Sequence, residues 1–371
     1  MAGKKKSRMK SGDFVLTIVV LGLVVFGVIM VFSSSYYNAI NDSGDPYDYL
    51  KKDIVWAVLG LGAMLFCALF DYRIYAKFAP TILIVDLVLL ALLFTPLGVT
   101  RNYATRWIGV GEFTIMPGEI AKIAAIIFVS WYLSKDPKNI RSFTKGVLPM
   151  LGLCGVFFGL IILQPNLSTA ITVCGIIIGI MFVAGLNIMY LGGILGIGAV
   201  GITFMILTDE GGYRMKRLTS FLDPFQDPLG DGYQVIQSLL ALGSGGLFGV
   251  GLGKSIQKTL YLPEPQNDFI FAIIGEELGY IGCLALIACY IILIWRGTHI
   301  ALNAPDMFGT LLASGITIML AIQVVLNIAV VTSSMPPTGI TLPFVSYGGN
   351  ALMLFMGSMG ILLNISRHSA R

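Results

Sequence analysis

The acidic residue best placed for chemistry is Asp268, which stands at the entrance to a long apolar stretch. It follows the segment 208–267, which ends in YLPEPQN and is too polar to be buried in lipid. A carboxylate in such a position can take part in acid–base chemistry. The competing interpretation is that Asp268 only caps the following helix, whose positive end favours an anion.

A second group of charges lies in MPGEIAKIA, where Glu119 and Lys122 are three residues apart. Pro117 suits the first position of a helix, so both side chains are expected on one helix face. Each charge is costly inside a bilayer, and a mutual ion pair would offset part of that cost. The two residues therefore either pair with each other or line a hydrophilic cavity that opens outward.

Two further acids, Glu276 and Glu277, follow Asp268 within the same apolar stretch. Eight residues correspond to about 12 Å along a helix, so both acids are expected well inside the membrane. At least one of them should face a cavity or a polar partner such as Gln323 or Asn327.

Basic residues form two groups in segments that we expect outside the membrane. Arg106 lies in TRNYATRWIGVGEF, and the run YRMKR contains Arg214, Lys216 and Arg217. Guanidinium groups match the geometry of phosphate oxygens, so these residues could bind lipid phosphates. Anchoring to phospholipid head groups is the alternative for both groups.

The composition predicts that membrane-spanning helices position these residues. Hydrophobic residues make up 56% of the 371 residues and charged residues 12%, against about 25% charged residues in a soluble domain. Ten apolar windows are each long enough to cross about 30 Å of hydrocarbon. They cover 14–37, 54–70, 79–98, 117–134, 146–163, 168–185, 188–207, 268–295, 307–333 and 341–364. We therefore expect an all-α polytopic membrane protein with about ten transmembrane helices.

The distribution of Lys and Arg predicts that both termini are cytoplasmic. A basic tail at 1–13 precedes a single transmembrane domain at 14–365, and a second short tail follows at 366–371. The large extracytoplasmic loop, 208–267, then lies between the seventh and eighth helices. The basic residues of the first tail are Lys4, Lys5, Lys6, Arg8 and Lys10.

The sequence also excludes several kinds of site. All five cysteines lie in apolar windows, so no extracellular disulfide framework is expected. His299 and His368 fall on the cytoplasmic side, so acid–base chemistry outside would depend on carboxylates or water. GSGGLFGVGLGKS has Phe248 where a phosphate-binding loop needs its first glycine. The net charge of +4 follows from membrane topology, and no nucleic-acid partner is expected.

Two breaks with proline and glycine lie at the outer ends of apolar windows. They are QPNLSTA at 164–170 and MPPTGITLPFVSYGGN at 335–350. Non-helical backbone at membrane depth is tolerated only beside protein or a water-filled cavity. Together with the charged residues, these breaks predict an outward-facing polar cavity that the large loop covers.

The motifs of this chain resemble those of the SEDS family (shape, elongation, division and sporulation), which are ten-span peptidoglycan glycosyltransferases of bacteria. The resemblance covers about residues 14–365 and rests on RWIGVG, MPGEIAKIA, QPNLSTA, GDGYQVIQSLLALGSGGLFGVGLG, YLPEPQNDFIFAIIGEELG and LPFVSYGG. YRMKRLTSFLDP, GLGKSIQK and the threonine before LPFVSYGG are more similar to the division branch, FtsW with its sporulation relative SpoVE, than to RodA.

The resemblance implies polymerisation of lipid II, an undecaprenyl-pyrophosphate-linked disaccharide, at the outer face of the bacterial cytoplasmic membrane. The family's essential acid aligns with Asp268, which would be the general base in an inverting transfer that releases undecaprenyl pyrophosphate. A divalent cation, Mg²⁺ or Mn²⁺, would help and could be held by Asp268 or Glu119. The residues implied to bind the substrate or its pyrophosphate are Arg106, Glu119, Lys122, Gln164, Arg214, Lys216, Arg217 and Ser346.

The resemblance also implies partners and a place of action. The partners are lipid II and the growing undecaprenyl-pyrophosphate-linked glycan, a class B penicillin-binding protein transpeptidase, and regulators of division or sporulation. The place of action would be the division septum. Two other functions are open: a flippase for lipid II, suggested by the intramembrane charges and broken spans, and a non-catalytic scaffold for a transpeptidase.

The chain departs from the family's common pattern close to the expected base. Gln266 and Asn267 stand where many relatives have His-Thr, and Asn166 stands where many have Asp. The last motif reads SYGGN and ends in Asn350 rather than serine. Asp268 is retained, so the departures concern the roles of its neighbours.

Overall fold

The computed structural model describes residues 12–101, 104–110, 113–208, 212–230 and 232–369. The basic residues of the tail 1–11 lie outside the described residues. The described chain is a helical bundle with one small sheet. Its helices are α1 (Phe14–Ser43), α2 (Asp48–Leu69), α3 (Arg73–Leu92), α4 (Pro117–Lys135), α5 (Leu148–Ile162), α6 (Leu167–Val183), α7 (Ile188–Leu207), α8 (Tyr213–Leu222), α9 (Tyr233–Ser244), α10 (Ile270–Leu302), α11 (Met307–Val331) and α12 (Gly349–His368).

Ten of these helices overlap the ten apolar windows of the sequence. Within the described residues, eight helices are long and apolar enough to cross a membrane: α1, α2, α3, α5 with the π-helical turn before it, α7, α10, α11 and α12. Helix α6 is apolar but shorter, and α4 carries Glu119, Lys122 and Lys135. The prediction of an all-α polytopic membrane protein is therefore confirmed.

Hydrogen bonds place the two ends of the described chain at the same end of the bundle. Asp13 caps α1 by accepting a hydrogen bond from the Leu16 amide at 3.0 Å, and its own amide donates to Ser366 Oγ at 3.2 Å. Arg296, near the end of α10, donates from Nε to Asp13 Oδ2 at 2.8 Å. This arrangement agrees with an even number of membrane crossings.

A three-stranded antiparallel sheet lies between α3 and α4, in the segment that we expected outside the membrane. Its strands, in the order β1-β2-β3, are β1 (Gly98–Arg101), β2 (Ala104–Val110) and β3 (Phe113–Ile115). In the central strand, Ile108 lies opposite Gly98 on one side and Ile115 on the other. Arg106 belongs to this strand, which is paired on both sides.

Part of the large loop is folded into the bundle, which the sequence did not predict. Helix α10 is interrupted at Gly279, which has φ 68° and ψ −169°. Residues 245–258, here called the re-entrant loop, pair with the backbone at this interruption. The Val250 amide donates to the Glu276 carbonyl oxygen, and the Tyr280 amide donates to the Gly246 carbonyl oxygen, both at 2.9 Å. The loop thus replaces hydrogen bonds that the broken helix cannot make internally.

Two buried glutamates of α10 hold the re-entrant loop through their side chains. Glu277 Oε1 accepts from Lys258 Nζ at 2.7 Å, and Ser33 Oγ of α1 lies 2.8 Å from both of its carboxylate oxygens. Glu276 accepts from the Ile256 amide at 2.9 Å and from the Ser255 hydroxyl. Lys258 is 3% exposed and Glu277 is fully buried. The residues that follow this loop lead directly to Asp268.

Candidate active site

Asp268 lies in the short turn between the large loop and α10. Its carboxylate is half-buried and packs against Gly339, where an added Cβ would lie 3.3 Å from Asp268 Oδ2. Helix α10 begins after Phe269 without a side-chain cap, so Asp268 does not cap it. Within the described parts of the chain, no group donates a hydrogen bond to the Asp268 carboxylate. This carboxylate is therefore available to a ligand.

Asn327 of α11 fixes the backbone beside Asp268. Its Nδ2 donates to the Asp268 carbonyl oxygen at 2.8 Å and to the Ile340 carbonyl oxygen at 2.7 Å. The buried amide of Asn327 thus joins the turn that carries Asp268 to residues 335–348, which are the part of the break at 335–350 that precedes α12. Glu276 and Glu277 have polar partners, as expected, but the re-entrant loop and Ser33 supply them rather than Gln323 or Asn327.

The polar break at 335–348 forms one wall of the site. Its Tyr347 amide donates to the Gln266 carbonyl oxygen at 2.9 Å, and the Gln266 side chain accepts from Asn38 Nδ2 of α1 at 3.1 Å. Ser346 is 6% exposed, and its hydroxyl accepts from the Leu342 amide at 2.8 Å. Ser346 thus stabilises its own loop, and Gln266, one of the departures from the family pattern, anchors this wall to α1.

Two arginines reach the site from separate elements. Arg217 of α8 donates from Nη1 to the Pro337 carbonyl oxygen at 3.0 Å, which places its guanidinium on the polar break. Arg106 of β2 donates to the Pro165 carbonyl oxygen in the other break. Lys216 is exposed on α8, and the side chain of Arg214 lies outside the described residues.

The surroundings of Asp268 give its carboxyl group a pKa that suits a general base near neutral pH. Loss of solvent around the carboxylate raises the pKa of Asp268 to about 7. The negative charge of Glu264 also raises it, whereas Arg106 and Arg217 lower it. A pKa near the working pH leaves the group ionised in part and basic enough to accept a proton. Glu264 was not singled out in the sequence, although a second carboxylate four residues before Asp268 was visible there.

Glu119 and Lys122 adopt the first of the two arrangements that the sequence left open. Lys122 Nζ lies 2.7 Å from Glu119 Oε1, and the two side chains are 3% and 12% exposed. The two charges therefore offset each other inside the bundle. Gly118 on the same helix packs against the Thr169 methyl group of α6, where a Cβ would lie at 3.3 Å.

Gln164 is buried next to the carbonyl group that binds Arg106. It is 2% exposed and lines a cavity together with residues of β1 and β2. The structure thus brings Arg106, Arg217 and the break at 164–165 to the surroundings of Asp268. It leaves Ser346 and the pair of Glu119 and Lys122 bound to groups of their own segments.

The donor set beside Asp268 fits a divalent cation bound together with phosphate. The described residues contain no group of three or more His, Cys, Asp or Glu that could hold a metal alone. Asp268 and Glu264 supply two carboxylates, and Thr338 Oγ1, next to Gly339, has no partner among the described residues. Mg²⁺ is commonly held by one or two carboxylates plus water and substrate phosphate oxygens. Lys122 Nζ lies 2.7 Å from Oε1 of Glu119, and Asn267 Nδ2 donates to Oε2 of Glu264 at 2.6 Å, so each of these two acids has one oxygen already engaged.

Known proteins resemble this chain over nearly its whole length. A family model described as "Cell cycle protein", for FtsW, RodA and SpoVE, matches residues 14–371. Stage V sporulation protein E of Bacillus subtilis is 45% identical over 365 residues, which cover 98% of this chain and 99% of that protein. A probable peptidoglycan glycosyltransferase FtsW of Trichlorobacter lovleyi is 40% identical, with 98% and 95% of the two chains covered.

Solved structures show the same fold. A chain from a study entitled "Structural coordination of polymerization and crosslinking by a peptidoglycan synthase complex" has a TM-score of 0.80 and 29% identity, with 96% of this chain and 98% of that chain covered. The rod shape determining protein RodA of Thermus thermophilus has a TM-score of 0.72 and 27% identity, covering 97% and 98%. The resemblance inferred from the motifs is thus confirmed along nearly the whole chain, and the chain belongs to the FtsW/RodA/SpoVE family, the SEDS proteins.

Proposed function

We propose that this enzyme, a peptidoglycan glycosyltransferase, polymerises lipid II into glycan strands at the outer face of the bacterial cytoplasmic membrane. The observation that carries the proposal is the carboxylate of Asp268, half-buried and free of hydrogen bonds within the described chain, beside Arg106 and Arg217. The site combines a group that can accept a proton with two cations that can stabilise a departing phosphate. Curated relatives named peptidoglycan glycosyltransferase support the reaction class.

In the proposed mechanism, Asp268 removes the proton from the 4-hydroxyl group of the acceptor sugar. The hydroxyl oxygen attacks the anomeric carbon of the donor from the face opposite its pyrophosphate. The new glycosidic C–O bond forms while the bond to pyrophosphate breaks, so the configuration inverts. The proton stays on Asp268 until it is lost to solvent, and the electron pair leaves with undecaprenyl pyrophosphate.

Basic residues would stabilise the negative charge that develops on the leaving group. Arg106 and Arg217 already lie near Asp268, and their guanidinium forks can form paired hydrogen bonds with phosphate oxygens. Lys216 and Arg214 on α8 belong to the same basic run and would add positive potential. A Mg²⁺ or Mn²⁺ ion held by Glu264 and by pyrophosphate oxygens would supply further charge neutralisation when bound, and Asp268 would remain free to accept the proton.

The partner and the place of action that we propose are those that the resemblance to the family implies. We propose that a class B penicillin-binding protein transpeptidase crosslinks the strands that this chain makes, with regulators of division or sporulation controlling the pair. A structural neighbour that comes from a peptidoglycan synthase complex supports a partner of this kind. Similarity to both a sporulation protein and FtsW proteins supports action at the septum of a dividing or sporulating cell.

Replacing Asp268 by asparagine tests the proposed base. Asp268→Asn keeps the size of the side chain but cannot accept the proton, so polymer formation should fall by a factor of about 10²–10⁴. The assay would supply purified chain, cognate transpeptidase, Mg²⁺ or Mn²⁺ and labelled lipid II, and would resolve glycan strands on a gel. Gel filtration and thermal unfolding would show whether the variant is folded.

Asp223→Asn is the matched control. Asp223 is an exposed acid in the large loop, and asparagine can still accept the hydrogen bond from the Phe225 amide. This control should polymerise lipid II like the wild type. Normal polymerisation by Asp268→Asn would remove the proposed base. Transport of labelled lipid II across vesicles, without polymer, would favour a flippase instead.

A further inference from the structure

A cavity beside the candidate active site has a lining that the proposed mechanism does not use. It has a volume of about 490 Å³ and lies between the end of α3, the strands β1 and β2, and the break at 164–165. Its volume falls in the range of roughly 300–1,000 Å³ that is usual for small-molecule sites. The lining residues are Leu93, Phe94, Thr95, Gly98, Thr100, Thr105, Leu163, Gln164 and Pro165.

One polar side chain of the lining lacks a partner. Gln164 is 2% exposed, and within the described chain nothing accepts a hydrogen bond from its amide nitrogen. A buried donor without a partner is unfavourable, and a ligand oxygen would remove that cost. The hydroxyl groups of Thr100 and Thr105, 2.7 Å apart across β1 and β2, add two groups that can donate or accept.

The other lining side chains are apolar except for Thr95, and none of the lining residues is charged. Phe94 is 51% exposed and Leu163 is 68% exposed, so both side chains present apolar surface at the cavity. A pyrophosphate would leave its charge uncompensated against such a lining. A sugar ring matches it better, because its edge carries hydroxyl and amide groups while its faces carry C–H groups.

The cavity adjoins the reacting groups through a single residue. Pro165 lines the cavity, and its carbonyl oxygen accepts a hydrogen bond from Arg106. Arg106 in turn is close enough to lower the pKa of Asp268. A ligand in the cavity would therefore have the phosphate-binding arginine at its rim and the proposed base beyond it.

We propose that this cavity is a saccharide subsite that binds an N-acetylated amino sugar of the substrate, with Gln164 donating a hydrogen bond to a sugar oxygen. The hydroxyl groups of Thr100 and Thr105 form hydrogen bonds with the hydroxyl groups of the sugar, and Phe94 packs against its C–H face. Gln164 is thereby assigned to sugar recognition rather than to pyrophosphate. The inference rests on the proposed function, since it takes the sugar from the same substrate.

A binding experiment without turnover tests the subsite. The probe is the soluble disaccharide of N-acetylglucosamine and N-acetylmuramic acid, added to the full chain in detergent micelles. Saturation-transfer NMR on its acetyl methyl groups should show binding by the wild type and by Asp268→Asn. Gln164→Leu should bind about ten-fold more weakly, the effect of losing one hydrogen bond inside a pocket. Phe94→Ala, at a half-exposed position, should also weaken binding.

Gln323→Leu is the matched control, because Gln323 is equally buried, at 2% exposed, but lies on α11 and does not line the cavity. It should bind the disaccharide like the wild type. The subsite is overturned if the wild type gives no signal, or if Gln164→Leu and Phe94→Ala both bind normally, as they would if a prenyl or acyl chain fills the cavity. The proposed base fails separately, if Asp268→Asn still polymerises lipid II.

Discussion

The acidity of Asp268 depends on its surroundings rather than on the helix that it precedes. The carboxylate does not cap α10, and its pKa of about 7 results from burial and Glu264 acting against Arg106 and Arg217. Because these contributions oppose one another, removal of any one of the charges shifts the balance in a known direction. The pH dependence of the reaction therefore reports on individual neighbours.

The rate of polymerisation should depend on the ionisation of Asp268. Below pH 7 the carboxylate is mostly protonated and cannot act as a base, so activity should fall about ten-fold per pH unit. Above pH 7 it is mostly ionised, and activity should reach a plateau. Glu264→Gln removes a negative charge that raises the pKa of Asp268, so the midpoint of the pH profile should move to lower pH.

Asp45→Asn provides the comparison for this shift. Asp45 is an exposed carboxylate paired with Lys51, and it does not contribute to the pKa of Asp268. Its removal should leave the midpoint unchanged. A midpoint that stays the same in Glu264→Gln would show that Asp268 is not the group whose ionisation limits the rate.

The charged residues of the site could be identified from the sequence, but only some of the contacts around them could be predicted. Asp268, Arg106 and Arg217 could be identified because charged side chains near apolar windows are energetically unfavourable and are therefore expected to have a role. The role of Asn327 could not be predicted, because it binds backbone atoms of Asp268 and Ile340 that only the folded chain brings together.

At the scale of elements, α10 and the re-entrant loop form one structural unit. The break at Gly279 exposes backbone groups of α10, and the loop supplies their partners. Gly249 has φ 78°, and a Cβ there would lie 2.2 Å from the Glu277 carbonyl oxygen, so the close approach requires glycine. The ion pair between the side chains of Lys258 and Glu277 also holds the re-entrant loop against α10.

Breaking the ion pair from one side should destabilise the protein strongly. Glu277→Leu leaves Lys258 buried without its counter-charge, and a loss of about 3–5 kcal/mol is expected for such a change. Lys258→Met should be similarly harmful, whereas the double variant should lose much less than the sum. Thermal unfolding of the three variants in the same detergent measures the coupling.

Lys51→Met serves as the reference, because it breaks the exposed ion pair between Lys51 and Asp45. This change should leave the unfolding temperature nearly unchanged, since solvent and salt screen exposed pairs. If the effects of Glu277→Leu and Lys258→Met are additive in the double variant, the buried pair does not hold the loop.

Hydropathy predicted the helices but not the sheet or the re-entrant loop. A long apolar segment in a bilayer forms a helix because a helix pairs its backbone groups internally. Ten helices therefore overlap the ten windows. The strands of the sheet are short, and their pairing depends on α3 and α4 bringing Gly98 and Ile115 to the same place. The re-entrant loop is rich in glycine and polar residues, and its anchor on α1, Ser33, lies 225 residues before Lys258.

At the scale of the whole molecule, the bundle has two chemically different ends. One end holds Asp13, Arg296 and Ser366, and thus both ends of the described chain. The site around Asp268 lies at the start of α10, whereas Arg296 lies near the end of the same helix. A substrate assembled inside the cell and used outside would therefore react at the end opposite to the termini.

Labelling of single cysteines tests this orientation. In a variant with all five native cysteines changed to alanine, Leu229→Cys lies in the large loop and should react with a membrane-impermeant maleimide in intact cells. Leu229 is 89% exposed, so access does not depend on unfolding. Lys138→Cys, exposed between α4 and α5, should react only after the membrane is opened. The opposite pattern would invert the topology and contradict an outward-facing site.

The salt bridge between the re-entrant loop and α10 also bears on how the protein is made. Glu276 and Glu277 each cost about 2.5–3.5 kcal/mol when a helix enters the bilayer alone. Their partners Ser255 and Lys258 are synthesised before α10. Stable insertion of α10 thus depends on a segment that the ribosome has already completed. The turn that carries Asp268 and the helix that follows it would then reach their final places in a single assembly step.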